Sequence, residues 1–120
     1  MLELKKELLD IVDKMDRDVE AVIVEGRRDK EALEKAGFSG RIYTCSEDTD
    51  GIVSVAREVR ERHDSVAILT DFDQEGDDLY GKLRGSIPES KVRTIWRKKL
   101  GKVLTQKGRR DIESINNIME

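Results

Sequence analysis

Short β-branched runs alternate with amphipathic segments along almost the whole chain, and this alternation limits the possible folds more than any other feature. The runs are "EAVIVEG", "RIYTC", "SVAILT" and "KVRTIW". A continuously apolar run reads as a strand buried on both faces, because polar alternation is expected only where one face meets water. Between the runs, "RDKEALEKAG", "DTDGIVSVAREVRERH" and "EGDDLYGKLRG" read as helices. The second of these puts Ile52, Val55, Ala56 and Val59 on one face. Gly37 is a natural C-terminal stop for the first. Leu4, Leu8, Ile11, Val12 and Met15 predict an amphipathic helix over residues 2–16, and Ile112, Ile115 and Met119 a closing helix over 111–119. Strand and helix in alternation predict an α/β fold of three layers, with a Rossmann-like, four-stranded parallel sheet between helices. The expectation is a single domain over residues 1–120, with extra N- and C-terminal helices.

Composition supports that picture and removes several classes of function. Only 4% of residues are aromatic, so the core has to be built from Val, Ile, Leu and Ala. Cys45 and His63 are each the sole residue of their type, which rules out an internal disulfide and argues against a zinc site of the usual N/S kind. No apolar run approaches the roughly 20 residues that span a bilayer. The opening "MLELKKELLD" is charged throughout and is not a signal peptide. The expectation is a cytoplasmic protein with no membrane contact.

The most polar strand end is the informative one. "VAILTDFDQEGDDL" passes from apolar residues straight into Asp71, Asp73, Glu75, Asp77 and Asp78. The first strand ends at Glu25-Gly26, and the second near residues 45–47. In open parallel sheets, ligands bind beyond the carboxyl ends of the strands, where the strand order reverses. If the first and third strands are neighbours, about 4.8 Å apart, Glu25 shares an edge with the aspartates. Asp71 and Asp73 project to the same side, their Cα atoms about 6.6 Å apart. Mg²⁺ takes oxygen ligands at about 2.1 Å, and paired metals sit about 3.5–4 Å apart. These three acids suit one such ion, or two with Asp71 shared. Gly26 and Gly76 flank them, open to close backbone approach or positive φ, and each opens a helix that favours an anion such as phosphate. Asp29, Asp77 and Asp78 read as ordinary helix-start acids. Glu75 fits either reading.

Competing cation motifs fail on the residues present. An EF-hand loop from Asp71 would need a bidentate Glu at its twelfth position, where Lys82 stands. An aspartyl phosphatase carries its DxD after the first strand, and a phospho-receiver wants an acid pair there. No P-loop sequence occurs.

Net charge is −3, yet residues 90–110 contain no acid and carry Lys91, Arg93, Arg97, Lys98, Lys99, Lys102, Lys107, Arg109 and Arg110. With Arg27 and Arg28 beside Glu25, the segment suits a basic collar that grips a polyanion while the acids hold metal. A solvated loop kept for solubility is the other reading. Trp96 and Tyr80 suit core packing better than base stacking.

"VEGRRDKEAL", with Glu25, Gly26, Asp29 and Leu33, resembles the first motif of Toprim domains, and "LTDFDQEGDDL" resembles their second. The second is close to the D-x-D-x-E-G form of type IA topoisomerases, with Gln74 where Arg is common. The resemblance covers residues 19–97. It implies the Toprim fold, Mg²⁺ (one ion or two, Mn²⁺ substituting) held by Glu25, Asp71 and Asp73, and catalysis by the same residues, with Glu25 as general acid or base. Gly26, Glu75 and Gly76 would support the cofactor. Arg27, Arg28, Arg97, Lys98, Lys99 and Lys102 would bind nucleic acid, RNA or DNA. The function implied is phosphodiester cleavage or transfer by a small nuclease, with room for a protein partner in DNA or RNA processing. A non-catalytic Mg²⁺-assisted accessory module and a small-molecule phosphatase remain as alternatives.

Overall fold

The protein is described by a computed structural model that covers residues 2–45 and 49–120. In chain order the elements are α1 (Leu2–Asp18), β1 (Ala21–Val24), α2 (Arg27–Lys35), β2 (Arg41–Thr44), α3 (Thr49–Arg62), β3 (Val66–Ile68) and α4 (Gln74–Arg84). A 3₁₀ turn (Glu89–Lys91), α5 (Ile95–Gln106), a second 3₁₀ turn (Ile112–Ser114) and α6 (Ile115–Met119) follow.

Among the described residues, three strands lie parallel in the order β2-β1-β3. Ala21 pairs with Arg41 on one side and with Val66 on the other. Side chains alternate across a strand, so β1 feeds two cores. Val22 and Val24 pack with Ala67 and Leu69 beneath α1, α2, α5 and α6, where Leu8, Met15, Leu33, Leu100, Leu104 and Ile115 are fully buried. Ala21 and Ile23 pack with Val66 and Ile68 on the other face, beneath α3 and α4. The sheet is therefore covered on both sides, which is why its strands read as unbroken apolar runs. The predicted α/β, three-layer arrangement is present.

The strand count differs from expectation. "KVRTIW" contributes only one bridge, Val92 to Val66, closed by Arg93 N donating to Val66 O at 2.9 Å. Thr94 already has helical backbone angles, and Ile95 begins α5. Trp96, Leu100 and Leu104 recur every fourth residue and are all buried, so helical packing overrides the β propensity of Val, Thr, Ile and Trp. The same helix corrects the reading of residues 90–110 as a solvated loop. Trp96 belongs to the core, its indole Nε1 donating to Asp18 Oδ2 at 2.7 Å.

The helix stop at Gly37 is as expected. Its φ is +101°, and Phe38 N donates to Leu33 O at 3.0 Å while Gly37 N donates to Glu34 O at 3.1 Å, the paired bonds of a Schellman ending. The strand order reverses between β1 and β3, so the carboxyl end of that pair is where a ligand crevice is expected.

Candidate functional site

Glu25 follows β1 and Asp71 follows β3 by a few residues, and the pairing of those strands brings them together. Asp71 N donates to Glu25 Oε2 at 2.6 Å. Asp71 Oδ1 accepts from Ile112 N at 3.0 Å, and Asp73 Oδ1 accepts from Gly76 N at 2.7 Å, capping α4. Each carboxylate is thus aimed by one backbone N–H. The second oxygens, Glu25 Oε1, Asp71 Oδ2 and Asp73 Oδ2, accept no hydrogen bond among the described residues. None of the three acids is in an ion pair among those residues either.

An open cleft of about 470 Å³ meets this edge, walled by Glu25, Asp29, Asp71, Asp111 and Glu113, with Gly26 and buried Cys45 completing it. The crowding disturbs titration. Burial, then the charges of Asp71, Asp29 and Asp73, pushes Glu25 up to about 7 against the pull of the Asp71 N–H. Burial and repulsion by Asp71 raise Asp29 to about 6, although Gly26 N donates to its Oδ2 at 2.9 Å. Asp71 is also raised, by burial first and then by Asp111, Asp73 and Glu113.

This donor set suits a hard divalent cation, since it is all carboxylate oxygen and its mutual repulsion is what a cation relieves. Among the described residues, however, no three His, Cys, Asp or Glu side chains stand close enough together to hold a metal ion. Glu25, Asp71 and Asp73 carry the carboxylate chemistry that Mg²⁺ takes, but only Glu25 and Asp71 line the cleft, and the three are not drawn to one point.

The other expected site residues distribute as follows. Gly26 is the N-cap of α2 at φ −150°, an ordinary extended conformation, and a Cβ there would meet nothing closer than 3.9 Å. Gly76 lies in the first turn of α4, where a Cβ would stand 2.0 Å from Asp71 O. Its close approach is to the protein's own turn. Glu75 is exposed and lines a separate shallow recess with Asp78 and Lys82. Asp77 pairs with Arg97 at 2.9 Å. Residues 46–47, read as the end of the second strand, fall outside the described residues.

Arg27 pairs with Glu31 at 3.2 Å, and Arg28 with Glu113 at 3.3 Å, both on the exposed start of α2. Lys98, Lys99 and Lys102 are exposed on α5, Lys99 lying over the Trp96 ring. Arg97 is mostly enclosed, its side chain 15% exposed. It donates to Thr70 O and Asp71 O and stacks on Phe72 and Tyr80. It therefore braces the turn that carries the aspartates. His63 bonds Tyr43 Oη at 2.7 Å and faces Glu20, at the amino end of the strands and away from the cleft.

Asp111 and Glu113 are not legible as site residues in the sequence. They open the closing segment, roughly 40 residues beyond the DxD turn, and nothing local marks their return to it. Asp29, read as a helix-start acid, serves as one and also walls the cleft.

Two adjacent parallel strands, with an acid after β1 and a D-x-D after β3 at the point of reversal, define the class, and the Toprim domain family matches residues 19–96. The chain belongs to the Toprim domain family. It is similar along nearly its whole length to proteins that carry only the designation UPF0292. The one from Methanocaldococcus jannaschii is 35% identical over 92% of this chain and 88% of its own length. That from Pyrococcus horikoshii is 33% identical over 98% and 87%, and that from Thermococcus sibiricus 33% over 94% and 86%. A solved structure described as a putative protein from Aquifex aeolicus superposes with a TM-score of 0.69, covering 91% of this chain and 95% of that one at 23% identity, which speaks for the fold. Among the described residues, no helix is long and apolar enough to cross a membrane.

Proposed function

We infer that this protein carries out Mg²⁺-dependent phosphodiester chemistry on nucleic acid, as a small nuclease or a related phosphotransfer enzyme. The observation that carries the reading is the hydrogen bond from Asp71 N to Glu25 Oε2, which ties the two Toprim motifs together at the strand-order reversal.

Glu25, Asp71 and Asp73 would hold the ion, each with one oxygen steadied by a backbone N–H and the other turned free. When bound, Mg²⁺ supplies stabilisation for charge developing on phosphate and lowers the pKa of a ligated water. The chain's own part is to place these oxygens; in the metal-free protein, burial and like charges hold Glu25 up to about 7, a strain that a cation would relieve by favouring the ionised form. Exposed Lys98, Lys99 and Lys102, with Arg27 and Arg28, offer charge to a polyanion backbone.

The test is cleavage of labelled RNA and DNA with Mg²⁺, with Mn²⁺ and with chelator. Asp71→Asn and Asp73→Asn are each expected to reduce cleavage by at least a hundredfold, on the order of 3 kcal/mol of lost transition-state stabilisation. Retained cleavage in both variants would remove the assignment. The separation of the three acids' oxygens favours one second reading, a Mg²⁺-assisted binding module without catalysis. It predicts metal-dependent retention of the oligonucleotide with no product under any ion.

A further inference from the structure

Behind the carboxylate cleft lies a second one of about 450 Å³, and Asp111 and Glu113 line both. On its other side stand Arg28, Arg109 and Arg110. One cleft is rich in oxygen acceptors and its neighbour in guanidinium donors. Arg109 is the informative residue: its Nε is buried and has no hydrogen-bond partner among the described residues. No hydrogen bond or ion pair among the described residues holds the Arg109 guanidinium, so the rest of its fork is left for an acceptor that a ligand in the cleft brings. Arg110 is exposed. Arg28 is held by Glu113 at 3.3 Å, but its side chain is 75% exposed, and so solvated a pair yields readily to another anion.

The backbone fixes this group relative to the acids. Gly108, at φ +74°, turns the chain back after α5. Arg110 O then accepts from Phe72 N at 2.8 Å, and Ile112 N donates to Asp71 Oδ1 at 3.0 Å. The segment that carries the arginines is the one that clasps the DxD turn.

We propose that Arg28, Arg109 and Arg110 form a subsite for a backbone phosphate of nucleic acid, next to the phosphate engaged at Glu25 and Asp71. This deepens the function inferred above and rests on it. Guanidinium forks match phosphate oxygens in a bidentate way that an ammonium does not. Asp111 and Glu113, standing between the clefts, repel a phosphate approaching alone. A divalent cation on their far side offsets that repulsion, so the subsite is expected to hold phosphate more tightly when metal is present.

The experiment is fluorescence anisotropy of a labelled oligonucleotide with the full chain, in Ca²⁺ and in chelator, across a salt series. Arg110→Ala changes an exposed residue and keeps the fold. It is expected to weaken binding about tenfold and to reduce the slope of log K against log salt by about 1. Arg109→Lys keeps the charge and loses the fork, so it should weaken binding with the slope nearly unchanged. Mn²⁺ affinity, read from water-proton relaxation, should match the wild type in both. Wild-type binding that neither substitution alters would overturn the subsite and leave the inferred function standing. A wild-type chain that binds Mn²⁺ but no oligonucleotide would overturn both. If the arginine variants weaken only a mononucleotide, the cleft takes small phosphates and the polymer assignment is wrong.

Discussion

Glu25 is half-buried among like charges, and that placement has a cost which can be measured. Its pKa is raised from 4.5 to about 7, and that of Asp29 from 3.8 to about 6. Below about pH 3 both groups are largely neutral in the folded and unfolded chains, and neither affects stability. As pH rises toward 7, the unfolded chain releases protons that the folded chain retains, so stability falls across that window and levels off above it. For Glu25 the loss is on the order of 1–3 kcal/mol, given its partial exposure to solvent. Urea unfolding of the metal-free protein should therefore show lower stability at pH 8 than at pH 5. Glu25→Gln should flatten the difference. Added Mg²⁺ should restore stability at pH 8 and do little at pH 5, because a cation binds the ionised acids. Equal pH slopes for wild type and Glu25→Gln would show that Glu25 does not carry the strain.

At the scale of one element, the β3–α4 turn is held from several directions. Asp73 caps α4, Thr70 Oγ1 donates to Gly76 O at 2.7 Å, and Arg97 crosses from α5 to the carbonyls of Thr70 and Asp71. Phe72 lies against Gly101, where a Cβ would stand 3.0 Å from its ring. Two glycines of α4 separate the effect of this turn from that of helix propensity. A Cβ added at Gly81 would have nothing within 4 Å, so Gly81→Ala should stabilise the chain by about 0.5–1 kcal/mol. At Gly76 the same Cβ would stand 2.0 Å from Asp71 O and 2.6 Å from Asp71 C. The turn must shift, and Gly76→Ala is expected to cost about 2–4 kcal/mol and to weaken Mn²⁺ binding at least tenfold. Thermal unfolding and Mn²⁺ titration of the two variants check this. Unperturbed Mn²⁺ affinity in Gly76→Ala would mean that the turn's conformation does not set the metal site.

At the scale of the whole molecule, what is legible in the sequence is what short segments encode. The unbroken apolar strands, the Gly37 stop and the meeting of Glu25 with Asp71 follow from local pattern plus the handedness of parallel crossovers. The fourth strand is misleading because Val92, Arg93, Thr94 and Ile95 suit a strand in isolation, while the burial of Trp96, Leu100 and Leu104 that decides for helix lies in tertiary packing. The closing helix is legible from Ile112 and Ile115, but its reach to the site is not: Ile112 meets Asp71 across 41 residues, and no local spacing encodes such a contact. The family match ends at residue 96, yet the tail beyond it closes both the core and the site. Ile112 and Ile115 are fully buried and Ile118 is 4% exposed, all in the cluster beneath α1 and α2. Burial of three such side chains contributes roughly 5–9 kcal/mol, comparable with the whole stability of an ordinary domain. Removing residues 107–120 should therefore abolish cooperative thermal unfolding, whereas Ile115→Ala should cost about 2–4 kcal/mol and leave a folded chain. In that folded variant, Ile112 N still meets Asp71, so Mn²⁺ affinity should stay within a few-fold of wild type. A truncated chain that melts cooperatively and binds Mn²⁺ normally would show that residues 1–106 build the site without the tail.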